Sequence, residues 1–271
     1  MPGLQDLLLC SDIDGTTLRA PEGIPPRNIE AVRRFTELGG HFTFATGRVP
    51  YMAGLVAEHF PVNAPLITIN GALICEPGSM RVLEERSIRE GVHETARALV
   101  ERYDGEAGVI VVKGDLYCPV APSEESMRLS RGNQMVRTGP WRIADVPAAC
   151  HKILIMAASE EAAVRIREEA ACYEGCFGVV SSGDRLIELI PPDADKGQGL
   201  RTVARRLGIR PVNTAAMGDS ENDLDLLRAA ALSAAPEDAA PAVRACADRI
   251  FCRCMDGALA MFIDELIRLY S

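Results

Sequence analysis

The sequence predicts an α/β fold: a parallel-sheet core in two sequence pieces, with an α+β unit inserted between them. Three observations predict it. Short apolar runs of strand length alternate with amphipathic helical segments at both ends of the chain, the pattern of a parallel sheet. The middle reads differently, as strands and helices with a hairpin turn. A chain of 271 residues, 48% apolar and 25% charged, also has enough material for a sizeable core without staples. The expected division is a core over 1–78 and 192–271, with the inserted domain over 79–191.

Each element follows from its residues. Leu7–Ser11 is a short apolar strand, followed by Asp12-Ile-Asp-Gly-Thr-Thr17. Ile29, Val32, Phe35 and Leu38 recur on one face of a helix from about Arg27 to Leu38, which Gly39-Gly40 ends. His41–Ala45 is a second strand, running into Thr46-Gly-Arg48. Pro50 suits the first turn of a helix through about His59. Leu66–Ile69 is a third strand, stopped by Asn70-Gly71. In the middle, Val109–Val112, Lys152–Ala157, Val179–Ser182 and Leu186–Ile190 read as strands. Helices are expected over Arg89–Tyr103, Ser123–Arg131 and Glu160–Tyr173, the last with Ser159 as N-cap. Ser181-Ser-Gly-Asp184 reads as a hairpin turn, and Pro191-Pro192 marks the exit. The tail returns to the first pattern. Gly197–Leu207 is helical, and Asn213–Met217 is a strand leading into Gly218-Asp-Ser-Glu-Asn-Asp223. Leu224, Leu226 and Leu227 lie on the next helix. Leu232–Ala234 is a short strand, and Asp256–Tyr270 a final amphipathic helix.

Composition excludes several function classes. The net charge is 29 − 38 = −9, which opposes a general nucleic-acid or membrane-surface role, because phosphate backbones need a basic face. No apolar run approaches the ~20 residues of a membrane helix. The start, Met-Pro-Gly-Leu-Gln-Asp6, has neither the basic stretch nor the apolar core of a signal peptide, so a cytoplasmic protein is expected. The nine cysteines are irregularly spaced with no CxxC pair, which reads as reduced, largely structural thiols rather than a zinc site. Only three basic residues are lysines (Lys113, Lys152 and Lys196), a bias that base composition explains but that makes each one worth inspecting.

Three polar clusters follow predicted core strands: Asp12/Asp14, Thr46 and Asp219/Asp223. Ligands of open parallel sheets bind at the carboxyl ends of the strands, so these distant segments could converge. Two carboxylates two residues apart can divide the labour, one attacking and one moving protons. A solvated acidic turn is the plainer reading. An EF-hand loop fails, because Thr17 and Leu224 occupy the positions that need Gly. Asp219 and Asp223 suit a hard cation such as Mg²⁺, or simply an acidic helix start. A hydroxyl and backbone N–H at Thr46-Gly47 can hold a phosphoryl oxygen, or serve only a turn. Lys196, ahead of a helix, is either solvated or a point charge for an anionic group. Walker A, GxGxxG, HExxH and GxSxG motifs are absent.

Taken together, DIDGTT (12–17), Thr46 in FATGR (44–48), Lys196 in ADKGQ (194–198) and GDSENDLDLL (218–227) resemble the haloacid dehalogenase superfamily. The resemblance is nearest to its Cof-type phosphatases, in which an α/β cap sits between the Thr and Lys motifs. Asn70-Gly-Ala72 before the insert and Lys196-Gly197 after it match as well, while Val49 separates Arg48 from Pro50 where GRP is common. The resemblance implies a Rossmannoid core with an inserted cap. It implies Asp12 as nucleophile forming an aspartyl-phosphate, and Asp14 as general acid and then base. It implies Mg²⁺ held by Asp12, the Asp14 main-chain carbonyl and Asp219. Thr46, Gly47, Lys196 and Asn222 would bind the phosphoryl group, and Asp223 would support the metal or Lys196 from behind.

An acid at Asp14 favours phosphate esters, since dehalogenases lack one there and phosphonatases generally carry a small residue. A large cap disfavours macromolecular substrates. The implied activity is hydrolysis of small organic phosphate monoesters, sugar phosphates among them, with a small phosphorylated metabolite as partner and a monomer or homodimer as assembly. A phosphomutase and a non-catalytic phosphometabolite-binding regulator are the alternatives. Cap placement opposes the first, and the presence of both Asp12 and Asp14 opposes the second.

Overall fold

The computed structural model describes residues 3–123, 141–170, 177–181, 183 and 185–270. The chain divides into two compact units, Met1–Glu84 with Asp195–Ser271, and Glu85–Ala194.

The first unit is built on a five-stranded parallel sheet. Its strands are β1 (Leu8–Ser11), β2 (His41–Phe44), β11 (Thr214–Met217), β12 (Leu232–Pro236) and β13 (Arg249–Phe251), in the order β13-β12-β11-β1-β2. Every residue of β1 and β11 is buried, as in a sheet covered on both faces, which explains why β1 reads as a continuous apolar run. Leu8, Cys10 and Ala216 share one core with Leu200 and Val203 of α5 (Lys196–Leu207) and with Leu226 and Leu227 of α6 (Leu224–Ala229). Helix α2 (Pro50–Ala57) starts at Pro50 as expected, and two further helices, α1 (Pro26–Glu37) and α8 (Ala258–Tyr270), pack against each other, where buried Asn28 Oδ1 accepts from the Ala260 N–H at 3.1 Å.

A second, three-stranded sheet extends this unit: β3 (Leu66–Thr68), β4 (Leu73–Cys75) and β5 (Val82–Glu85). It is joined to the end of β2 by a parallel bridge between Ala45 and Ile67. Strands β4, β5 and β13, helix α7 (Pro241–Cys246) and, in the second unit, the strand Leu116–Ala121 were not expected from the sequence. They are only three to six residues long, too short for periodicity to reveal. The two units part at Glu84/Glu85 and Ala194/Asp195, within six residues of 78/79 and 191/192, and the pairing of β5 in this sheet accounts for the first of these offsets.

The second unit is an antiparallel sheet of order β7-β6-β8-β10-β9. Its strands are β6 (Ala107–Lys113), β7 (Leu116–Ala121), β8 (Lys152–Ala157), β9 (Gly178–Ser181) and β10 (Leu186–Ile190). Val109, Val111, Ile153, Ile155, Ile187 and Leu189 share a core with α3 (Val92–Arg102) and α4 (Glu160–Ala170). Helix α3 starts at Val92 rather than Arg89 because Gly91 has the left-handed φ of +70°. Ser159 accepts from the Ala162 N–H at 3.1 Å, the N-cap expected for α4. Lys152 pairs with Glu188 at 3.1 Å, both buried. The helix expected over 123–131 lies, apart from Ser123, outside the described residues, as do residues 171–173 and two of the expected turn, Ser182 and Asp184.

Among the described residues no helix is long and apolar enough to cross a membrane. Among the described residues no cysteine forms a disulfide, and none belongs to a cluster able to hold a metal.

Candidate active site

The carboxyl ends of β1, β2 and β11 meet because the strands are in register. Ser11 lies between Phe44 and Met217, and the Asp12 N–H donates to the Met217 carbonyl at 2.8 Å. Asp12 therefore leaves the sheet between Thr46 and Asp219. Its carbonyl accepts from the hydroxyls of Thr17 (2.6 Å) and Ser11 (2.9 Å), which hold the turn after the strand. Gly15 sits at φ +85°, and a Cβ there would lie 2.2 Å from Asp219 Oδ2. Glycine at 15 is thus required by both the turn and the close approach of the second acidic loop.

Lys196 is the first residue of α5, whose N-cap Asp195 accepts from the Gln198 N–H at 2.6 Å. The lysine is not solvated. Its side chain is 0% exposed, and its ammonium donates to Asp12 Oδ1 at 2.7 Å and to Asp223 Oδ1 at 2.6 Å. Asp223 Oδ2 accepts the backbone N–H groups of Asp219 and Ser220, each at 3.0 Å. Both Asp223 oxygens are thus committed to holding the lysine and the 219–220 loop. Asp219 accepts from the Thr16 hydroxyl at 2.7 Å and from the Ser220 hydroxyl at 3.0 Å.

The electrostatics follow from burial. Asp12 is pushed well above the usual carboxylate range, first by burial and then by the charge of Asp223, with Lys196 opposing. Burial also lifts Asp219 to about 6, with Asp223 adding to the rise. Burial by itself would lower the Lys196 ammonium, but Asp12 and Asp223 outweigh it and hold it above its ordinary value.

Asp12, Asp219 and Asp223 each offer a carboxylate oxygen, all within 4.8 Å of one another. Three carboxylates against one ammonium leave 1 − 3 = −2, the charge that one divalent cation neutralises. Carboxylate oxygens are the donors a hard cation takes. The residues present therefore fit a divalent ion such as Mg²⁺.

The Asp14 carboxylate lies outside that group. It is 54% exposed and gripped by Arg48, with Nε to Oδ2 at 2.8 Å and Nη2 to Oδ1 at 2.6 Å. Thr46 is buried at the end of β2, its Oγ1 accepting the Arg48 N–H at 3.1 Å. Gly47 faces the Asn70 side chain, 3.2 Å from where a Cβ would stand. Asn70 has the left-handed φ of +52°, and its Oδ1 accepts from Asn222 Nδ2 at 3.4 Å. Asn222 Oδ1 is buried with no hydrogen-bond partner among the described residues.

Thr16, Arg48 and Asn70 join the site without a role legible in the sequence. The signal available for each was its place one or two residues from a residue already singled out, or in the Asn-Gly step after β3.

A family model for haloacid dehalogenase-like hydrolases matches residues 9–263. The chain belongs to that family. This haloacid dehalogenase-like hydrolase is 25% identical over 280 residues to a 5-amino-6-(5-phospho-D-ribitylamino)uracil phosphatase of Bacillus subtilis, covering 94% of this chain and 96% of the relative. It is 26% identical over 264 residues to a phosphoglycolate phosphatase of Methanopyrus kandleri, covering 96% and 97%. A haloacid dehalogenase-like hydrolase from Bacteroides thetaiotaomicron has the same fold, with a TM-score of 0.81 at 22% identity over 96% of this chain and 99% of that one.

Proposed function

We propose that this phosphoric monoester hydrolase is a Mg²⁺-dependent phosphatase of small organic phosphate monoesters, sugar phosphates or similar, acting through an aspartyl-phosphate on Asp12. The observation that carries the reading is the buried Asp12–Lys196–Asp223 arrangement at the strand ends, beside Asp219. Lys196 engages one Asp12 oxygen and so leaves Oδ2 as the attacking atom. That oxygen forms the bond to phosphorus as the ester oxygen departs with a proton from Asp14. Asp14 then takes a proton from the water that attacks phosphorus, and phosphate leaves with Asp12 restored. Lys196, the Thr46 hydroxyl, the Gly47 N–H and the Asn222 side chain bind and orient the phosphoryl oxygens. Asp223 keeps Lys196 aimed at Asp12 and shapes the 219–220 loop.

Asp12, the Asp14 main-chain carbonyl and Asp219 would hold Mg²⁺. When bound, it supplies the positive charge that lets a carboxylate meet a phosphate dianion. The relatives named for a phosphorylated ribitylaminouracil and for phosphoglycolate support a small, phosphorylated substrate. The inserted unit over 85–194 is read as the family's cap. The test is phosphate release from a panel of small monoesters, with Mg²⁺ and with chelator, for the wild type and Asp12→Asn. Metal-dependent release that vanishes in the variant is expected. Unchanged turnover by folded Asp12→Asn would overturn the mechanism.

A further inference from the structure

The grip on Asp14 has no counterpart among the roles assigned above. The Asp14 carboxylate is held outside the buried Asp12–Asp219–Asp223 group by both arms of the Arg48 guanidinium, at 2.6 and 2.8 Å. A two-point fork of this kind fixes the orientation of a carboxylate as well as its place, which a lone ammonium does not. Without it, a side chain 54% exposed has little else to choose its rotamer. Arg48 is itself anchored. Its backbone N–H donates to Thr46 Oγ1 at 3.1 Å, and the Ile69 N–H donates to its carbonyl at 2.9 Å. Its side chain is less exposed than that of Asp14, 24% against 54%. The arginine is thus the less exposed partner of the pair, on a backbone held at both its N–H and its carbonyl.

Resting on the phosphatase reading, we propose that Arg48 is the positioning residue for Asp14: it acts on the reaction through the carboxylate it grips, setting where the proton is delivered to the leaving oxygen. A positioning residue has a signature that a phosphate-binding or purely structural residue lacks. Protonation of the leaving oxygen matters for an alkyl phosphate, whose alkoxide is a poor leaving group. It matters little for p-nitrophenyl phosphate, whose phenolate departs unaided. The constant kcat/KM covers only the steps through formation of the aspartyl-phosphate, so it reads leaving-group protonation and not the later hydrolysis.

The experiment compares kcat/KM on an alkyl phosphate and on p-nitrophenyl phosphate for wild type, Arg48→Gln, Arg48→Lys, Asp14→Asn and the double variant Arg48→Gln/Asp14→Asn. Arg48→Gln is expected to lower kcat/KM on the alkyl ester by about 10-fold or more, part of the roughly 10²–10⁴ that a positioned general acid contributes. The aryl ester should lose much less. Arg48→Lys, which keeps the charge but not the fork, should show the same contrast. In the Asp14→Asn background, Arg48→Gln should add little, because the group it guides is gone. Equal losses on both esters, additive losses in the double variant, or no loss at all would each overturn the proposal. Thermal melts of every variant separate misfolding from these outcomes, and Arg48→Lys provides a second test if Arg48→Gln is unstable. Failure of the Asp12 mechanism on which the proposal rests is a separate result: folded Asp12→Asn would then turn over either ester unchanged.

Discussion

Replacing Lys196 by Met removes the single ammonium from a buried group of three carboxylates. The new side chain fills much the same space, so the loss is almost purely of charge. Breaking a buried ion pair from one side costs about 3–5 kcal/mol, because the partner charge is left uncompensated. Here two partners, Asp12 and Asp223, are stranded at once, at 2.7 and 2.6 Å from the missing nitrogen. At about 2–4 °C per kcal/mol for a chain of this order, the melting temperature should fall by about 6–20 °C in chelator at neutral pH. The assay reads the contribution of Lys196 in full there. An ammonium held above its ordinary value of 10.5 contributes all of its stability below that value and loses it only as pH rises through the higher folded value. Two further results follow from the same cause. The deficit should narrow as pH falls, because Asp12 and Asp219, held above the ordinary carboxylate value, bind protons more tightly in the folded state than in the unfolded one. Mg²⁺ should raise the variant's melting temperature more than the wild type's, since it replaces part of the missing charge. Calorimetry of both proteins, with Mg²⁺ and with chelator at two pH values, tests all three results. A variant melting with the wild type in chelator at neutral pH would refute the claim that the lysine neutralises this group.

Other predictions concern the second acidic loop. Asp219 is lifted from 3.8 to about 6, so in metal-free protein it binds its proton more tightly folded than unfolded, and its contribution to stability falls as pH rises through that window. A cation must displace that proton below about 6, so stabilisation by Mg²⁺ should grow as pH rises to that point and then level off. An equal Mg²⁺-induced shift in melting temperature at pH values on either side of the window would refute it. Thr16→Val removes the 2.7 Å bond that orients Asp219 and should weaken Mg²⁺ binding by about 10–100-fold, as loss of an orienting partner does in metal sites. Titration calorimetry with Mg²⁺ checks it, and unchanged affinity would show that Thr16 serves only the turn.

What the sequence determined by itself was local. The apolar run before Asp12, the periodicity of α1, α5 and α8, and the Ser159 cap of α4 are set by residues within a few positions of one another, so they can be read along the chain. The order of four short motifs was legible too, and it pointed to the family that the match over residues 9–263 establishes. Elements such as β4, β5 and β13 were not legible. A strand of three or four residues owes its existence to its neighbour in the sheet rather than to its own pattern.

The site shows the same division. That an acid, a hydroxyl, a lysine and a second acidic loop follow strand ends is visible in the order of residues. Whether Lys196 is solvated or buried is not. Its state depends on Asp12, 184 positions away, and on Asp223, 27 positions away, closing around it. Tertiary structure likewise decided that Asp223 spends both oxygens on Lys196 and the loop amides, and that Asp14 is turned to Arg48 rather than into the carboxylate group. The physical reason is that charge is governed by distance and burial. Both are fixed only when segments far apart in the chain are brought into a place that excludes water.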